Sequence, residues 1–482
     1  MTARVTIQFR SGELSSIQSG DQIVSAGEEK PEEEREYTVE EIIQQCKRFR
    51  IVSVGPAGVG KSSLINCVFK CNDAKVSDWK KGEAKIGDEI TSEINPHFVL
   101  HDSKGFEPGN LDTFEIVEKF VIEKSAQNLK LSERLHAVWL CIRTPTHGAR
   151  VIEAGTEKFL ELANERKIPV VVVFTQYDRL TRGYQDKPEG FDAEASAQRD
   201  FDVSVESLRS TAKKLKIEMP KYVNVFVRPK EEHNIIELIE LTRQTVQERL
   251  RGDAWVVWAM AQRASLPLKV EACVSKGMNY YWLARGGSVP GLSNLLLSQC
   301  LQQVHRDIVA CWNFRDGATV LNSDEFKHLM VYLVQDIKNK DGPKSSPADI
   351  GNLSNFVTLC TAASATLAPP AAVLGLTYLF LKWLSNATLD NNPEVRRVMI
   401  AYTVDMILIL EELFKFTLVP TSDGIVTWKL LQEAFEAHHR TTAQNSVHTD
   451  IATRVEQTWR LDTNQDIVLE GVRDLLQQHR VV

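Results

Sequence analysis

Two periodicities divide the chain. From about residue 48 to residue 250, short apolar runs alternate with stretches of helical spacing. "RIVSVG", "HFVLHD", "HAVWLCI", "PVVVVFT" and "YVNVFV" are β-branched, apolar runs bounded by polar, Gly or Pro positions, and they predict strands. "EAKIGDEITSEI" predicts one more. Between them, "SSLINCVF", "FEIVEKFVIEKS", "VIEAGTEKFLELANER", the polar stretch from Gly190 to Lys216 and "NIIELIELTRQTVQERL" predict helices. Strands alternating with helices predict an α/β fold, a mostly parallel sheet with helices on both faces. Beyond Leu250 the helical spacing continues with few strands, through "DAWVVWAMAQRASLPLKVEACVSKGMNYYWLAR", "SNLLLSQCLQQVHRDIVACW", "SDEFKHLMVYLVQDIKN" and "PEVRRVMIAYTVDMILILEELFKF". Before residue 48, "EEKPEEEREYTVEE" is dense in glutamate and poor in apolar residues. The expected organisation is an acidic, unstructured leader over 1–47, an α/β domain over 48–250 and a mainly α-helical domain over 251–482.

Composition changes this picture little. A length of 482 residues fits two or three domains. The net charge of -7 gives no basic bias towards nucleic acid. The eight cysteines form no C-x-x-C pair, so they read as reduced thiols of an intracellular, cytoplasmic protein. "DTNQD" at 462–466 imitates a calcium loop, but Ile467 and Arg473 stand where glycine and glutamate are needed. His438-His439 reads as a solvated pair on a polar helix.

One segment bears on membranes. Residues 356–381 carry no charge over 26 positions. A continuous helix of that length would span about 39 Å, enough for a bilayer. Pro369-Pro370 divides it into arms too short to cross alone. Two outcomes stay open, a hairpin buried in the helical domain and a hairpin that contacts a membrane.

The candidate chemistry lies in the first half. "VGPAGVGKSS" contains Gly55, four residues, then Gly60-Lys61-Ser62, which fits G-x-x-x-x-G-K-S/T between a strand and a helix. Over Gly55, Pro56, Ala57, Gly58, Val59, Gly60, Lys61, Ser62 and Ser63, backbone N–H groups can turn inwards around phosphates. Lys61 reaches the terminal phosphates, and the Ser62 hydroxyl ligates Mg2+. Asp102 ends "HFVLHD" and opens D-x-x-G with Gly105. That placement suits an aspartate on the metal and a glycine N–H that senses a γ-phosphate. "TQYD" follows "VVVVF", so Thr175, Gln176 and Asp178 stand where guanine is read. An aspartate carboxylate accepts from guanine N1 and N2 and rejects adenine.

In these motifs the chain resembles P-loop GTPases, of the class that includes Era-like, septin and immunity-related GTPases, over roughly residues 48 to 250. "FVLHDSKGFEPG", "IRTPTHGARVIE" and "QVHRDIVACWNF" also resemble a large family of uncharacterised fungal G-domain proteins. The resemblance implies a G domain, GTP/GDP and Mg2+ as ligands, and catalytic roles for Lys61 and Gly105. The chain departs from the pattern in three ways. Gln176 replaces lysine, and "RPK" (228–230) stands where a further base-contacting motif belongs. Phe106 follows Gly105 and cannot orient water, so hydrolysis in isolation is expected to be slow and completed by self-association or a partner. The third metal ligand is expected at Ser77 in preference to Thr91, because Thr91 falls at the far end of a hairpin. The expected function is a slow GTPase switch coupled to the helical domain. The alternative is a weakly or non-hydrolysing scaffold that works through partner or membrane recruitment.

Overall fold

The computed structural model describes residues 38–56, 58–69, 86–87, 89, 91, 95–103, 111–126, 128–145, 152–184, 192–228, 231–250, 253–279, 281, 296–338, 378–388, 392–419, 424–440, 443–457 and 465–480. Its first described element is a helix that the glutamate content obscures. α1 (Val39–Gln45) starts behind Thr38, whose Oγ1 accepts from Glu41 N at 3.2 Å while Glu41 Oε2 accepts from Thr38 N at 2.9 Å. This capping box satisfies donors that a helix start otherwise leaves open. Val39, Ile42 and Cys46 are buried beneath it. Residues 38–47, expected in the unstructured leader, are therefore ordered. Residues 1–37 lie outside the described residues.

The α/β expectation holds. In chain order come β1 (Phe49–Val54), α2 (Lys61–Phe69), β2 (Phe98–Asp102), α3 (Leu111–Lys124), β3 (Ala137–Arg143), α4 (Ala154–Glu165), β4 (Val170–Thr175), the short α5 (Asp178–Arg182), α6 (Ala193–Leu215) and β5 (Lys221–Asn224). The five strands pair in the order β2-β1-β3-β4-β5, all parallel. The order reverses at β1, and a sheet of this kind binds ligands at the carboxyl ends of its strands beside such a switch point. Both expected motif strands, β1 and β2, end there, with Ser53 opposite Asp102.

Two strand expectations need correcting or qualifying. "YVNVFV" is not one strand. β5 stops at Asn224, and β6 (Phe226–Arg228) turns away to pair antiparallel with β7 (Glu231–His233). Val225 N still donates to Phe174 O at 2.7 Å and its O accepts from Tyr177 N at 3.3 Å, just past the end of β4 at Thr175, before the chain turns into the ribbon. "EAKIGDEITSEI" lies largely outside the described residues; Ile86 and Gly87 within it form a turn.

The strands alternate with period two, and their two faces bury different partners. Val52, Val54, Val138, Leu140, Val172 and Phe174 meet Val121 of α3, Phe159 of α4, and Phe201 and Leu208 of α6 in one core. Phe49, Ile51, Trp139, Cys141, Val171 and Val173 meet α1, α2 and α7 (Ile235–Arg249). That second core then runs past residue 250 without a break. α8 (Ala254–Ala261) is buried at every position. Its Trp258 lies 5.0 Å from Phe49, 5.8 Å from Phe69 and 6.1 Å from Trp139, centroid to centroid. The indole Nε1 donates to Ile239 O at 3.1 Å, which satisfies its polar atom.

The remaining described part is helical, as expected: α9 (Leu266–Gly277), α10 (Leu297–Trp312), α11 (Asp324–Leu333), α12 (Tyr378–Asn386), α13 (Pro393–Thr417), α14 (Trp428–Arg440), α15 (Ala443–Gln457) and α16 (Gln465–Gln478). α13 is the hub and is buried nearly all round, so each of its charges needs a partner. Arg397 Nη1 meets Glu456 Oε1 at 2.6 Å, and Glu411 Oε2 accepts from Arg480 Nε at 2.9 Å. Asp405 is enclosed by His448 Nε2 at 2.8 Å and His438 Nε2 at 3.5 Å. His438 is thus buried against the Asp405 carboxylate, not half of a solvated pair. Of the uncharged segment, residues 356–377 lie outside the described residues, and Tyr378 to Leu381 open α12. Among the described residues, no helix is long and apolar enough to cross a membrane.

Candidate functional site

The loop after β1 is shaped by one close approach. A Cβ on Gly55, at φ +143°, would lie 2.2 Å from Cys141 O of β3, so only glycine lets the chain pass. Gly60 takes φ +101° just before α2 begins. Val59 is buried, and Ser62 and Ser63 are exposed on the first turn of α2. Lys61, the first residue of α2, is buried, and its Nζ donates to Gly55 O and Pro56 O, both at 3.0 Å. The ammonium is therefore held over the loop that the helix N-terminus also faces, a combination that favours anions. Ala57 lies outside the described residues.

Asp102 ends β2 beside this loop. Ser103 fastens the segment that follows, with its N and its Oγ donating to Ser53 O at 3.4 and 3.0 Å. The donor set for a metal here is an exposed serine hydroxyl at a helix start and an aspartate at the neighbouring strand end. Such hard oxygen donors fit Mg2+, which keeps several waters and takes few protein ligands. Ser77, Gly105 and Phe106 lie outside the described residues, and Thr91 is exposed.

The residues expected to read the base make different contacts. Thr175 Oγ1 donates to Ile142 O at 3.2 Å, and Thr144 Oγ1 donates to Thr175 O at 2.7 Å, so the Thr175 hydroxyl locks β4 to β3. Gln176 adopts φ +57°, and its Nε2 donates to Gly58 O at 2.8 Å. The neutral amide thereby ties the base loop to the phosphate loop. Arg143 Nη2 reaches the same carbonyl at 3.4 Å. Asp178, buried at the start of α5, accepts on Oδ2 from Arg228 Nε at 3.0 Å and Nη2 at 2.7 Å, and also from Arg182. Burial would raise this carboxyl, but Arg228 and Arg182 outweigh burial and hold it below the usual carboxylate range.

The structure thus brings the phosphate loop, Asp102, Gln176 and Asp178 to the carboxyl edge of one sheet. Sequence reading missed Arg143 and Arg182 as neighbours of that site, and placed Arg228 beside it without finding its contact to Asp178. Arg182 had a signal, the i,i+4 spacing from Asp178 on a helix. Arg228 had none for its target, because the β6–β7 ribbon decides where it points.

Comparison with known proteins adds the following. The family described as 50S ribosome-binding GTPase matches residues 50–176, and a domain of unknown function (DUF8505) matches residues 320–482. No curated protein matches the chain. Among solved structures, the chain is similar to a probable GTP-binding protein engB, at 17% identity over 42% of this chain and 99% of that one, with a TM-score of 0.27. It is similar to Toc33 from Arabidopsis thaliana in complex with GDP and Mg2+, at 12% identity over 44% of this chain and 89% of that one, TM-score 0.30. A member of an oligomerised bacterial dynamin pair is similar at 10% identity over 91% of this chain and 81% of that one, TM-score 0.23. With the glycine-shaped loop, the lysine seated over it and the GTPase family match falling on the same parallel sheet, this part of the chain is the GTP-binding G domain of a P-loop GTPase.

Proposed function

We propose that the chain is a nucleotide-dependent switch that binds GTP with Mg2+, hydrolyses it slowly to GDP and phosphate, and passes the difference to its helical half. The observation that carries this reading is the meeting of both ends of a nucleotide site at one loop: Lys61 lies over Gly55 and Pro56, and Gln176 holds Gly58. In this reading Lys61 stabilises charge on the phosphates, Asp178 selects guanine and the Gly105 N–H senses the γ-phosphate. Ser62 and Asp102, with Ser77, would hold Mg2+, which supplies charge neutralisation at the phosphates. Phe106 has no group to orient water, so turnover rises when a second copy or a partner supplies one. Coupling runs along α2. It starts at Lys61 and ends at Phe69, which packs on Trp258, while Arg263 N donates to Val68 O at 3.1 Å.

Titration with GTP, GDP and ATP tests the ligand. Lys61→Ala is expected to weaken all nucleoside triphosphates alike, and Asp178→Asn to move preference from guanine to xanthine. ATP bound as tightly as GTP would overturn the guanine assignment. Single-turnover rates over a protein concentration series test the chemistry, with slow hydrolysis expected to accelerate as concentration rises. Binding without turnover at any concentration would leave a scaffold in place of a switch. Liposome flotation tests whether 356–381 adds a membrane to its partners.

A further inference from the structure

The carboxylate that would read guanine is already engaged by the protein itself. Asp178 Oδ2 takes two N–H donors from Arg228 and one from Arg182. Arg228 is held in place from several sides. Its guanidinium sits 5.1 Å over the Phe226 ring, and its Nη1 lies 3.3 Å from Glu231 Oε2 across the β6–β7 ribbon. The ribbon is itself clamped beside Asp178, because His233 stacks between Phe226 at 5.2 Å and Tyr177 at 5.5 Å. Much of the entropy of ordering a long side chain is therefore already spent by local packing, unlike an ordinary exposed ion pair.

The chemistry of the two occupants is the same. A guanidinium offers adjacent N–H donors in a plane, and so does the N1–H and N2–H edge of guanine. Pairing with the N1–H and N2–H edge takes both carboxylate oxygens, and Oδ2, with three donors already aimed at it, is not available for its half of that contact. We propose that Arg228 competes with guanine for Asp178, so that the base enters only when the guanidinium swings out. Arg228 is thus a gate that sets the affinity and the rate at which guanine nucleotide binds. This rests on the reading of Asp178 as the guanine selector. Apparent affinity falls by the fraction of molecules in which the gate stands open. A gate closed nine-tenths of the time weakens binding roughly tenfold. Arg182 is more exposed and contributes a single i,i+4 contact, so its share is smaller.

The test uses the full chain and a fluorescent GDP analogue, by equilibrium titration and stopped flow. Arg228→Ala is expected to bind roughly tenfold tighter, mainly through faster association. Arg228→Gln, which keeps the side-chain stem, and Glu231→Gln, which loosens the anchor, should move affinity in the same direction, and Arg182→Ala by less. Thermal melts identify variants that fold, and the two glutamine variants decide the matter if Arg228→Ala does not. Folded Arg228 variants that bind GDP no more tightly than the wild type overturn the gate. Asp178→Asn separates the two ideas. If it leaves the guanine preference intact, the reading of Asp178 falls; if it shifts preference while the Arg228 variants gain nothing, only the gate falls.

Discussion

The two faces of the central sheet are made by the same strands but closed in different ways. The face carrying Val52, Leu140 and Val172 is covered by α3, α4 and α6, and its buried cluster runs only from Val52 to Leu208. The face carrying Ile51, Trp139 and Val173 is covered first by α1, α2 and α7, then by α8, and its cluster runs from Val39 to Leu476. One face is closed by local returns of the chain. The other needs a helix that begins more than a hundred residues after the last phosphate-loop residue. The helical half is therefore not a bead beside the nucleotide site. It completes the core on which α2 rests.

The strongest way to break this comparison is to cut the chain after Leu250. That removes Trp258 and leaves Phe49, Phe69 and Trp139 without their cover. The fragment is expected to aggregate or to melt without a cooperative transition, whereas a soluble fragment with a sharp melt and GDP binding would show the second face to be self-sufficient. Point changes sharpen the contrast. Trp258→Ala and Phe159→Ala each empty a fully buried aromatic site, one on each face, and each should cost about 3–5 kcal/mol in urea unfolding. Only Trp258→Ala should also weaken GDP binding in the folded protein, because Phe69 of α2 leans on it and Phe159 touches the other face.

A smaller effect is expected deep in the second core. Burial alone would raise Asp405, but His448 and His438 outweigh it and hold the carboxyl down to about 2. The unfolded value is near 3.9. The folded pKa is the lower of the two, so this stability is present above about pH 4 and is lost as pH falls towards about 2. It amounts to about 2 kcal/mol. Denaturant melts across that range should steepen in the wild type and flatten in Asp405→Asn. The smallest effect belongs to the rim that both faces share. Gln176→Ala removes one neutral hydrogen bond to the phosphate loop, worth about 1 kcal/mol. It should weaken GDP binding by roughly fivefold, seen by titration, with little change in melting temperature.

Much of the nucleotide half was legible in the order of residues. Apolar strands, three of which (β1, β2 and β4) end on or lead directly into a motif, specify both the element and its carboxyl edge. Parallel connection through helices then leaves few ways to arrange them. The glycine at Gly55 was readable as a turn, but the reason no other residue fits, the carbonyl of Cys141, belongs to a strand 86 residues away. The capping box at Thr38 and Glu41 was also readable. It was masked by the surrounding glutamates, because composition averages over a window while a cap is set by two positions.

Local chemistry decides what depends on near neighbours: strand and helix period, helix caps and the spacing of the glycine-rich loop between strand and helix. It could not decide which charges are buried or what they meet. "YVNVFV" has the composition of one strand, yet past Asn224 the chain leaves the sheet for an antiparallel ribbon that aims Arg228 at Asp178. His438 sits on a polar-looking helix, yet α13 presents Asp405 to it. In both cases the partner comes from an element distant in sequence. The free energy of placing a charge depends on the dielectric and on the counter-charge around it, and only the packed fold supplies those.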